Sequence, residues 1–234
     1  MNDIWIRQLL ADQAHSSDEI ERLRSITVHD RKYRAGQMIL FEDDRFDMLY
    51  AITSGWIGNT RDLEDGTEQI IDVFLPGQLV GLRQLESPRA RVAFRALTDS
   101  EVCLVDKRAL KSVAATSPNL NTAIMQTIAR EDAWLMERIA TLGQRSAAEC
   151  IMHFLLEVSD RQARINNVEF PNSRVELPIN QEQLGNILAI TPVHVSRVLK
   201  DLRAEGILDT SEDIWRFPSR ENAELFCDYQ ARRL

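Results

Sequence analysis

The sequence is poor in the residues on which many metal and redox proteins depend. Its 234 residues include three cysteines, Cys103, Cys150 and Cys227, which are far apart and form no metal-like pair. We expect reduced and mostly buried thiols; Cys150 is either a buried inert thiol or a sensor of oxidation. The chain also lacks a Ser/His/Asp constellation, a phosphate-binding glycine loop and a His-x-His strand. It therefore offers no catalytic residue and no metal site, and we expect that it is not an enzyme.

Long apolar runs and an excess of positive charge are absent too. No stretch approaches the roughly 20 residues that span a bilayer, and the N-terminus has no secretory signal pattern. We therefore expect a cytoplasmic protein with no membrane partner. The net charge of −8 predicts weak non-specific binding to nucleic acid. The basic residues are nevertheless concentrated locally, because residues 194–203 contain three of them and one acidic residue.

The stretch from Asn180 to Lys200 carries the most informative pattern in the chain. Gly185 is expected where two short helices approach most closely, and residues 189–191 form the turn between them. Thr191 is a good N-cap and Pro192 suits the first helical position, where no N–H is needed. The apolar residues whose spacing predicts a small shared core are Leu184, Leu188, Ile190, Val195 and Val198. The combination favours a helix-turn-helix over a plain helical hairpin.

The second of these helices is predicted to lie in the major groove of double-stranded DNA. Arg197 can read guanine O6 and N7 with two hydrogen bonds, His194 can donate to a guanine or a phosphate, and Val193 can pack on a thymine methyl. Most other contacts are expected to go to phosphates. The predicted DNA-binding residues are Asn180, Thr191, Pro192, Val193, His194, Ser196, Arg197, Lys200 and Arg216.

Short extended segments flank this motif. Residues 174–179 are predicted to form a strand before it, Gly206 ends the second helix, and a strand begins at residues 207–208. Residues 214–217 are predicted to return as a further strand that contains Arg216. Helices followed by a small hairpin form a winged helix, so we expect Arg216 in the wing, close to the DNA backbone.

The N-terminal half has a different pattern. Residues 15–24 predict a short capped helix, and from residue 26 to about residue 105 the chain breaks into short apolar runs separated by Gly, Asp or Pro. The predicted strands are residues 37–41, 48–52, 55–58, 69–74 and 101–105. Short strands at near-regular spacing indicate a small β-roll or barrel.

Three segments of this half resemble signatures of the cyclic-nucleotide-binding β-roll: residues 34–42, 48–57 and 74–81. With the C-terminal winged helix, their order is similar to that of the CRP/FNR family of bacterial transcription regulators, over about residues 20 to 220. The resemblance implies an α+β fold. It would consist of an N-terminal antiparallel, jelly-roll-like β-roll, a long central dimerisation helix and a C-terminal winged helix-turn-helix.

Residues 118–142 are the candidate for the dimerisation helix that this family places between its domains. Apolar residues recur there at steps of three, four or seven and make one seam, which Glu131 interrupts. The resemblance implies three parts: an effector-sensing β-roll (1–116), the helix and hinge (117–143) and the DNA-binding domain (144–234), whose first helix would be residues 145–158. The implied dimer interface is Ile124, Ile128, Leu135, Ile139 and Leu142.

The resemblance also implies an effector pocket in the β-roll. Members that bind cyclic AMP contact the ribose through a Gly-Glu pair and the phosphate through an Arg followed by Ser or Thr. Here Leu82 replaces the Glu and cannot accept hydrogen bonds, and Arg91 is shifted by one residue, which on a strand points it to the other face. We therefore do not expect tight cyclic AMP binding. The candidate pocket residues are Gly77, Val80, Gly81, Leu82, Arg89, Arg91 and Arg95, whose arginines either serve another anionic ligand or lie on the surface.

Other family effectors depend on residues that can be checked. Oxygen-sensing members hold an iron–sulfur cluster with cysteines near the N-terminus, and no cysteine precedes Cys103, so we expect no such cluster. Haem stays open, because His15, His29, His153 and the methionines are available as axial ligands, although a lone histidine is more often structural or on the surface. Control by protein level alone, without an effector, also stays open.

These features predict a homodimeric, sequence-specific transcription regulator that acts on a palindromic DNA site, and that contacts RNA polymerase if it is an activator. One alternative is a ligand-sensing β-roll protein without a DNA function. Another is a cupin-like enzyme, which would need two or three histidines converging inside the barrel. The predicted β-roll contains only His29, so the regulator remains the preferred interpretation.

Overall fold

The computed structural model describes residues 3–63, 66, 68–166, 173–211 and 213–230. The chain divides into two compact units, residues 1–131 and 132–234. The boundary lies inside the longest helix, in the part of the chain predicted to separate the two domains. Each unit is described on its own.

The helices and strands follow one another in the order α1 (Ile4–Leu9), α2 (Ser17–Ser25), β1 (Thr27–Tyr33), β2 (Met38–Leu40), β3 (Met48–Ser54), β4 (Ile57–Asp62), β5 (Glu68–Phe74), β6 (Leu79–Val80), a 3-10 turn (Leu82–Gln84), β7 (Ala93–Ala96), β8 (Ser100–Asp106), α3 (Lys107–Thr116), α4 (Pro118–Gln144), α5 (Ala147–Asn166), β9 (Arg174–Glu176), α6 (Gln181–Leu188), α7 (Pro192–Ala204), β10 (Asp209–Ser211), β11 (Ile214–Arg216) and α8 (Arg220–Phe226).

Two four-stranded antiparallel sheets form the first unit, in the orders β1-β8-β3-β6 and β2-β7-β4-β5. The predicted antiparallel β-roll is therefore confirmed. Three strands, β1, β6 and β7, were not among those predicted. The side chains of β1 are mostly exposed and polar, and β6 has only two residues, so neither produces an apolar run in the sequence.

The core of this unit lies between the sheets and extends to the helices around them. Its completely buried members include Leu49, Ile52 and Val102 from the strands. Helix α2 adds Leu23 and α4 adds Ile124 to the same cluster. Ile124 was predicted to belong to the dimer interface. With 1% of its surface exposed, it is part of its own unit's core, so that residue of the prediction is wrong.

The predicted short capped helix near the N-terminus is confirmed as α2. Ser16 is its N-cap: the Glu19 backbone N–H donates to Ser16 Oγ at 3.2 Å, and the Ser16 N–H donates to Glu19 Oε2 at 2.9 Å. This reciprocal pair is a capping box, and it satisfies two donors that the helix start would otherwise leave open. It fixes where the chain enters the β-roll.

Helices α5 to α8 and a small sheet form the centre of the second unit. Helix α5 packs against α6, α7, α8 and β9, and strands β9, β11 and β10 form an antiparallel sheet in the order β10-β11-β9. Helix α5 begins two residues later than predicted and continues to Asn166. Strand β10 begins at Asp209, after the predicted start, because residues 202–208 still make turn hydrogen bonds to the end of α7.

None of the helices in the described part of the chain combines the length and apolar character needed to cross a bilayer. Within the same residues, no group of three or more His, Cys, Asp or Glu side chains is placed to hold a metal ion.

Candidate nucleic-acid interface

The predicted helix-turn-helix is present as α6, a three-residue turn and α7. Leu184 and Leu188 of α6 and Val195 and Val198 of α7 are buried between the helices, as their spacing predicts. Ile190, in the turn, is partly buried, less than these four residues. The spacing of α7 also buries Leu199 and Leu202, which leaves the opposite face of α7 to solvent.

The turn depends on the absence of a side chain at Gly185. A Cβ built there would lie 2.5 Å from the carbonyl oxygen of Ile190, far inside a normal contact. The neighbour that approaches Gly185 most closely is therefore the backbone of the turn. The sequence had predicted the second helix as that neighbour. Ala189 ends α6 in the left-handed conformation with φ 55°, and the Ile190 N–H donates to the Gly185 carbonyl at 3.0 Å. This geometry sets the direction in which α7 leaves the turn.

Helix α7 begins where the sequence predicts. The His194 N–H donates to Thr191 Oγ1 at 3.2 Å, and Pro192 is the first helical residue. At the start of α6, Asn180 Oδ1 accepts from the Gln183 N–H at 2.9 Å and the Asn180 N–H donates to Gln183 Oε1 at 2.9 Å. Both helix starts are thus fixed by side-chain caps, which leaves other N-terminal N–H groups available to an anion.

The outward face of α7 presents the predicted DNA-contacting side chains together. Val193, His194, Ser196, Arg197 and Lys200 are all exposed. Val193 is 74% exposed, so its apolar side chain is accessible on this face beside the two cations. Neither Arg197 nor Lys200 makes a side-chain hydrogen bond or ion pair with any residue that the structure describes. Their positive charges are therefore available to an external partner.

An open depression of about 730 Å³ runs along this face, lined by Val193, Ser196, Arg197, Lys200 and Arg203. The predicted site did not include Arg203. Its signal in the sequence was the same step of three or four residues that relates Val193, Arg197 and Lys200. Arg203 also contacts the wing, since Nη1 donates to Thr210 Oγ1 at 3.3 Å, while Nε donates to the Leu199 carbonyl at 2.9 Å.

The wing is the hairpin of β10 and β11, which continues into β9. Arg216 lies on β11 with an exposed side chain, opposite Asp209 on one side and Arg174 on the other. Trp215 and Phe217 alternate with it and are buried. The two-residue period of the strand therefore anchors the wing with aromatic rings and turns Arg216 outward.

The predicted effector residues of the β-roll do not converge on one site. Gly81 and Arg91 line a cavity in the first unit, whereas the other five lie elsewhere. Val80 and Leu82 are in the apolar core, and Gly77 is buried in the turn before β6. These three positions were assigned from the resemblance, and they are not among the residues that line this cavity.

The three candidate arginines separate in the structure. Arg89 donates to the Asp43 carbonyl at 2.7 Å, and Arg95 pairs with Glu68 at 2.5 Å and donates to the Gly36 carbonyl at 2.9 Å. A strand register would point Arg91 away from the cavity. Arg91 lines the cavity nevertheless, because it precedes β7, which begins only at Ala93. The alternation rule does not apply to the irregular segment that contains Arg91.

The cavity measures about 170 Å³ and is lined by Asn59, Phe74, Gly81, Arg83, Gln84, Arg91, Val92, Phe94 and Glu131. Gly81 has φ 100°, and a Cβ there would lie 2.6 Å from the Phe46 ring, so glycine is required at this corner. Most of these residues were missed because they come from separate strands, a turn and α4. Glu131 did leave a signal, as the charged residue that interrupts the apolar seam of α4.

An ion network occupies one wall of this cavity. Arg83 pairs with Asp72 through Nη2 and with Glu131 through Nε at 3.2 Å. Both carboxylates are buried, at 5% and 4% exposure, and the Arg83 guanidinium carbon lies 5.8 Å from the centroid of the Phe74 ring. Burial disfavours the charged guanidinium, but the two carboxylates outweigh it and raise the pKa of Arg83. The network holds α4 to the β-roll within this unit.

The remaining residues of the predicted dimer interface lie on α4 with different exposure. Ile139 is 63% exposed, whereas Ile128, Leu135 and Leu142 are partly buried. Two further apolar side chains of α4 are exposed and were not predicted, Met125 at 53% and Met136 at 69%.

The three thiols are buried, as predicted, and each is hydrogen-bonded inside its own unit. Cys103 Sγ donates to Asp30 Oδ1 at 2.9 Å, Cys150 Sγ to the Thr141 carbonyl at 3.5 Å, and Cys227 Sγ to the Ala223 carbonyl at 3.3 Å. Burial raises the pKa of Cys103 and of Cys227 to about 12 and also raises the pKa of Cys150. Such thiols carry little thiolate at neutral pH.

The histidines considered for haem have different surroundings. His15 and His29 are exposed, and His153 is 3% exposed, with its ring 4.8 Å from the ring of Tyr229 and Nε2 3.5 Å from Glu137 Oε1. Burial lowers the pKa of His153. Its contacts are those of a packed core histidine.

Comparisons with known proteins give a consistent result. The family model of the cyclic nucleotide-binding domain matches residues 30–117, and that of the Crp-like helix-turn-helix domain matches residues 151–221. The chain is 27% identical over 191 residues to the transcriptional activator protein FnrA of Stutzerimonas stutzeri, which covers 82% of this chain and 77% of that protein. It is 28% identical over 206 residues to the fumarate and nitrate reduction regulatory protein of Salmonella typhi, with 88% and 81% covered. The solved structure of FixK2 from Bradyrhizobium japonicum is similar with a TM-score of 0.75 and 26% identity, over 87% of this chain and 98% of that one.

Proposed function

Because the chain belongs to the CRP/FNR family and is a DNA-binding transcription regulator, we propose that it acts as a homodimer on a palindromic DNA site. Helix α7 of each subunit enters the major groove of one half-site. The observation that carries this proposal is the capped α7, whose exposed face holds Val193, Arg197 and Lys200 together without partners among the described residues.

Base recognition is assigned to the N-terminal half of α7. Arg197 donates two hydrogen bonds to a guanine, which discriminates against a wrong base by about 1–3 kcal/mol. Val193 packs on a thymine methyl, since its exposed side chain offers only apolar contact. His194 and Ser196 donate to neighbouring base edges or phosphates. The half-site therefore keeps a guanine for Arg197 and has a thymine close to it.

Phosphate contacts are assigned to the periphery of the motif. Lys200 and the wing residue Arg216 supply positive charge, and both are exposed. Asn180 and Thr191, the caps of α6 and α7, place helix N-termini toward the DNA backbone, and Pro192 leaves the first turn of α7 open there. With net charge −8 the protein relies on this local surface, so its non-specific affinity should be low.

Dimerisation is assigned to α4. Ile128, Leu135, Ile139 and Leu142 are the remaining residues of the predicted seam, and Met136 adds a further exposed apolar side chain. A dimer must hold its two recognition helices about 34–36 Å apart to reach successive major grooves. We propose that the β-roll biases this spacing through α4, and that an effector acts by binding one arrangement better than the other.

Several finer assignments follow from the residues. The cavity of the β-roll is not suited to tight cyclic AMP binding, because buried Leu82 stands where a carboxylate would contact the ribose. The thiols do not fit an iron–sulfur cluster, and we assign no haem ligand and no catalytic residue. We place the protein in the cytoplasm with its DNA, and RNA polymerase is its partner if it is an activator.

The experiment that tests the proposal is selection of bound sites from random duplex DNA by the full-length protein without added ligand. The expected result is a palindrome whose half-site contains a guanine that Arg197→Ala no longer selects. An unchanged motif with Arg197→Ala would contradict the assignment of that residue. If the wild-type protein enriches no sequence with or without cyclic nucleotides, haem or oxidant, the DNA function itself would be wrong, and a ligand-sensing protein without DNA binding would remain.

A further inference from the structure

The cavity of the β-roll has a wall that combines aromatic rings with amide groups. Phe74 and Phe94 meet edge to face, with ring centroids 6.1 Å apart and planes at 85°, and Val92 lies beside them. Asn59 of β4 and Gln84 of the 3-10 turn line the same space. This wall is therefore mainly apolar with a small polar edge, while Arg83, Arg91 and Glu131 also line the cavity.

Two atoms of this polar edge lack a hydrogen-bond partner among the residues that the structure describes. They are Asn59 Oδ1, an acceptor, and Gln84 Nε2, a donor. Asn59 is 7% exposed and Gln84 is 9% exposed. Gln84 is held in place, because its Oε1 accepts the Arg91 N–H at 2.7 Å. Buried polar atoms are nearly always hydrogen-bonded, so this pair indicates an occupant that supplies one donor and one acceptor.

The charges around the cavity disfavour an ionic occupant. Arg83 is already paired with Asp72 and Glu131, so its guanidinium is not available to an anion. Arg91, which also lines the cavity, has no carboxylate partner among the described residues, so Arg83 and Arg91 together balance Asp72 and Glu131. The cavity therefore has no excess charge to attract a carboxylate or a phosphate. A cationic group, which has donors only, would face the Gln84 donor and leave it unsatisfied.

We propose that this cavity binds a small, neutral, planar molecule with a carboxamide-like edge, which accepts from Gln84 Nε2 and donates to Asn59 Oδ1. Its volume of about 170 Å³ lies below the roughly 300–1,000 Å³ of sites for drug-sized ligands. The occupant is therefore about the size of one substituted aromatic ring. Its apolar body packs against Phe74, Val92 and Phe94.

The regulatory meaning of this ligand rests on the proposed function, whereas its binding does not. The occupant contacts the β-roll through Asn59 and Gln84 and lies beside Glu131 of α4. Binding there strengthens the packing of α4 on the β-roll, and α4 is the element assigned to dimerisation. Ligand binding is measured without DNA, so a negative result would leave the DNA site selection unaffected.

The test compares three probes of nearly the same shape with the full-length protein: benzamide, benzoate and benzamidinium. Benzamide carries the donor and acceptor edge, benzoate only acceptors and a negative charge, and benzamidinium only donors and a positive charge. Binding is measured by ligand-observed NMR and by titration of the protein amide spectrum at millimolar concentrations. We expect benzamide to bind at least about 10-fold more tightly than either ion, a difference of about 1.4 kcal/mol.

Two variants locate the site. Gln84→Glu keeps the size of the side chain and the oxygen that accepts the Arg91 N–H but replaces the Nε2 donor by an acceptor, so the Kd for benzamide should rise about 5- to 10-fold. The matched Gln126→Glu, on the exposed face of α4, should leave it unchanged. Val92→Phe fills the cavity and should abolish binding while the amide spectrum stays folded. The proposal is wrong if neither variant weakens binding, if an ion binds as tightly as benzamide, or if no probe binds the folded protein.

Discussion

The recognition helix and the β-roll use their cationic side chains in different ways. Arg197 and Lys200 of α7 are exposed and have no partner among the described residues. In the β-roll, Arg83 is paired with two buried carboxylates, and Arg95 is paired with Glu68. An arginine is available to an external anion only where its own fold supplies no carboxylate. The comparison indicates that α7 offers its cations to an anionic partner, whereas Arg83, the buried cation of the β-roll cavity, is already neutralised within its own unit.

The largest effect should come from removing the cation of the β-roll network. Arg83→Met takes away the partner shared by Asp72 and Glu131, two buried carboxylates. Loss of one partner from a buried ion pair costs about 3–5 kcal/mol. Urea unfolding, followed by a probe in the β-roll, should show this loss in the free energy of unfolding.

The matched control is Lys32→Met, which removes the exposed partner of Glu101 at 2.5 Å. This surface pair is screened by solvent, so its loss should leave the unfolding midpoint nearly unchanged. If the two variants shifted the midpoint equally, Arg83 would contribute no more to stability than an exposed lysine. That result would contradict the contrast between the paired arginine of the β-roll and the unpartnered cations of α7.

The second-largest effect should come from disturbing the turn that positions α7 and its exposed cations. Gly185→Ala places a Cβ 2.5 Å from the Ile190 carbonyl oxygen, so the turn must move. Overpacking of this kind costs about 1–3 kcal/mol, and the displaced α7 should bind operator DNA more weakly. Thermal unfolding and a DNA titration would measure the loss of stability and the loss of affinity.

Gly143→Ala in α4 is the control, since no described atom beyond the backbone of its own helix and its two chain neighbours lies within 4 Å of its added Cβ. Alanine is the better helix former by up to about 1 kcal/mol, so this variant should be neutral or stabilised. A Gly185→Ala protein as stable as Gly143→Ala, with normal DNA affinity, would show that the close approach at Ile190 does not constrain the motif.

How much the sequence reveals differs between these two regions for a physical reason. The helix-turn-helix is specified by residues close together in the chain: the caps Asn180 and Thr191, the proline at the first position of α7, and Gly185. Its start, its turn and its exposed face were therefore predicted correctly. The contact of Arg203 with the wing was missed, because it depends on how the turn and hairpin pack.

The cavity of the β-roll was not predictable in the same way. Its walls combine Asn59, Phe94 and Glu131, which lie far apart in the sequence and meet only through sheet register and the position of α4. Arg91 was predicted to point away because a strand was assumed there, but β7 begins after it. The pairing of Arg83 with Asp72 leaves no signal in the local pattern. Pairing between residues far apart in the sequence thus decides which arginines remain available to an external ligand.

A smaller effect, on the salt dependence of DNA binding, would test whether Lys200 of α7 contacts a phosphate. Lys200→Ala should reduce the slope of log affinity against log salt by about 0.9 for each phosphate that is no longer neutralised, hence by about two in a dimer. Lys111→Ala, which removes the exposed partner of Glu86 in the β-roll unit, should leave the slope unchanged. Equal slopes for Lys200→Ala and the wild type, from titrations at several salt concentrations, would remove Lys200 from the DNA interface.

The smallest effect concerns a buried ionisable group in the second unit. Burial lowers the pKa of His153, against the opposing effect of Glu157 and Glu137. The folded state therefore favours neutral histidine, while the unfolded chain binds a proton near its usual pKa of about 6.5. The stability that His153 contributes is complete above about pH 6.5 and is lost as the pH falls from there toward the lowered folded pKa.

Unfolding free energies between about pH 7 and pH 5 would measure this dependence. His153→Gln should flatten it, whereas His29→Gln, at an exposed position of β1, should not. An unchanged slope in His153→Gln would mean that this histidine does not take up a proton in that range on unfolding.

The most direct test of DNA recognition by α7 is a double-mutant cycle between Arg197 and its base. Affinities would be measured for the wild type and Arg197→Ala on the selected operator and on the same operator with 7-deazaguanine at the proposed position, which lacks the N7 acceptor. We predict that each change alone weakens binding and that together they cost less than their sum, with a coupling of about 1–3 kcal/mol for each half-site. Additive losses would contradict a direct contact between Arg197 and the guanine.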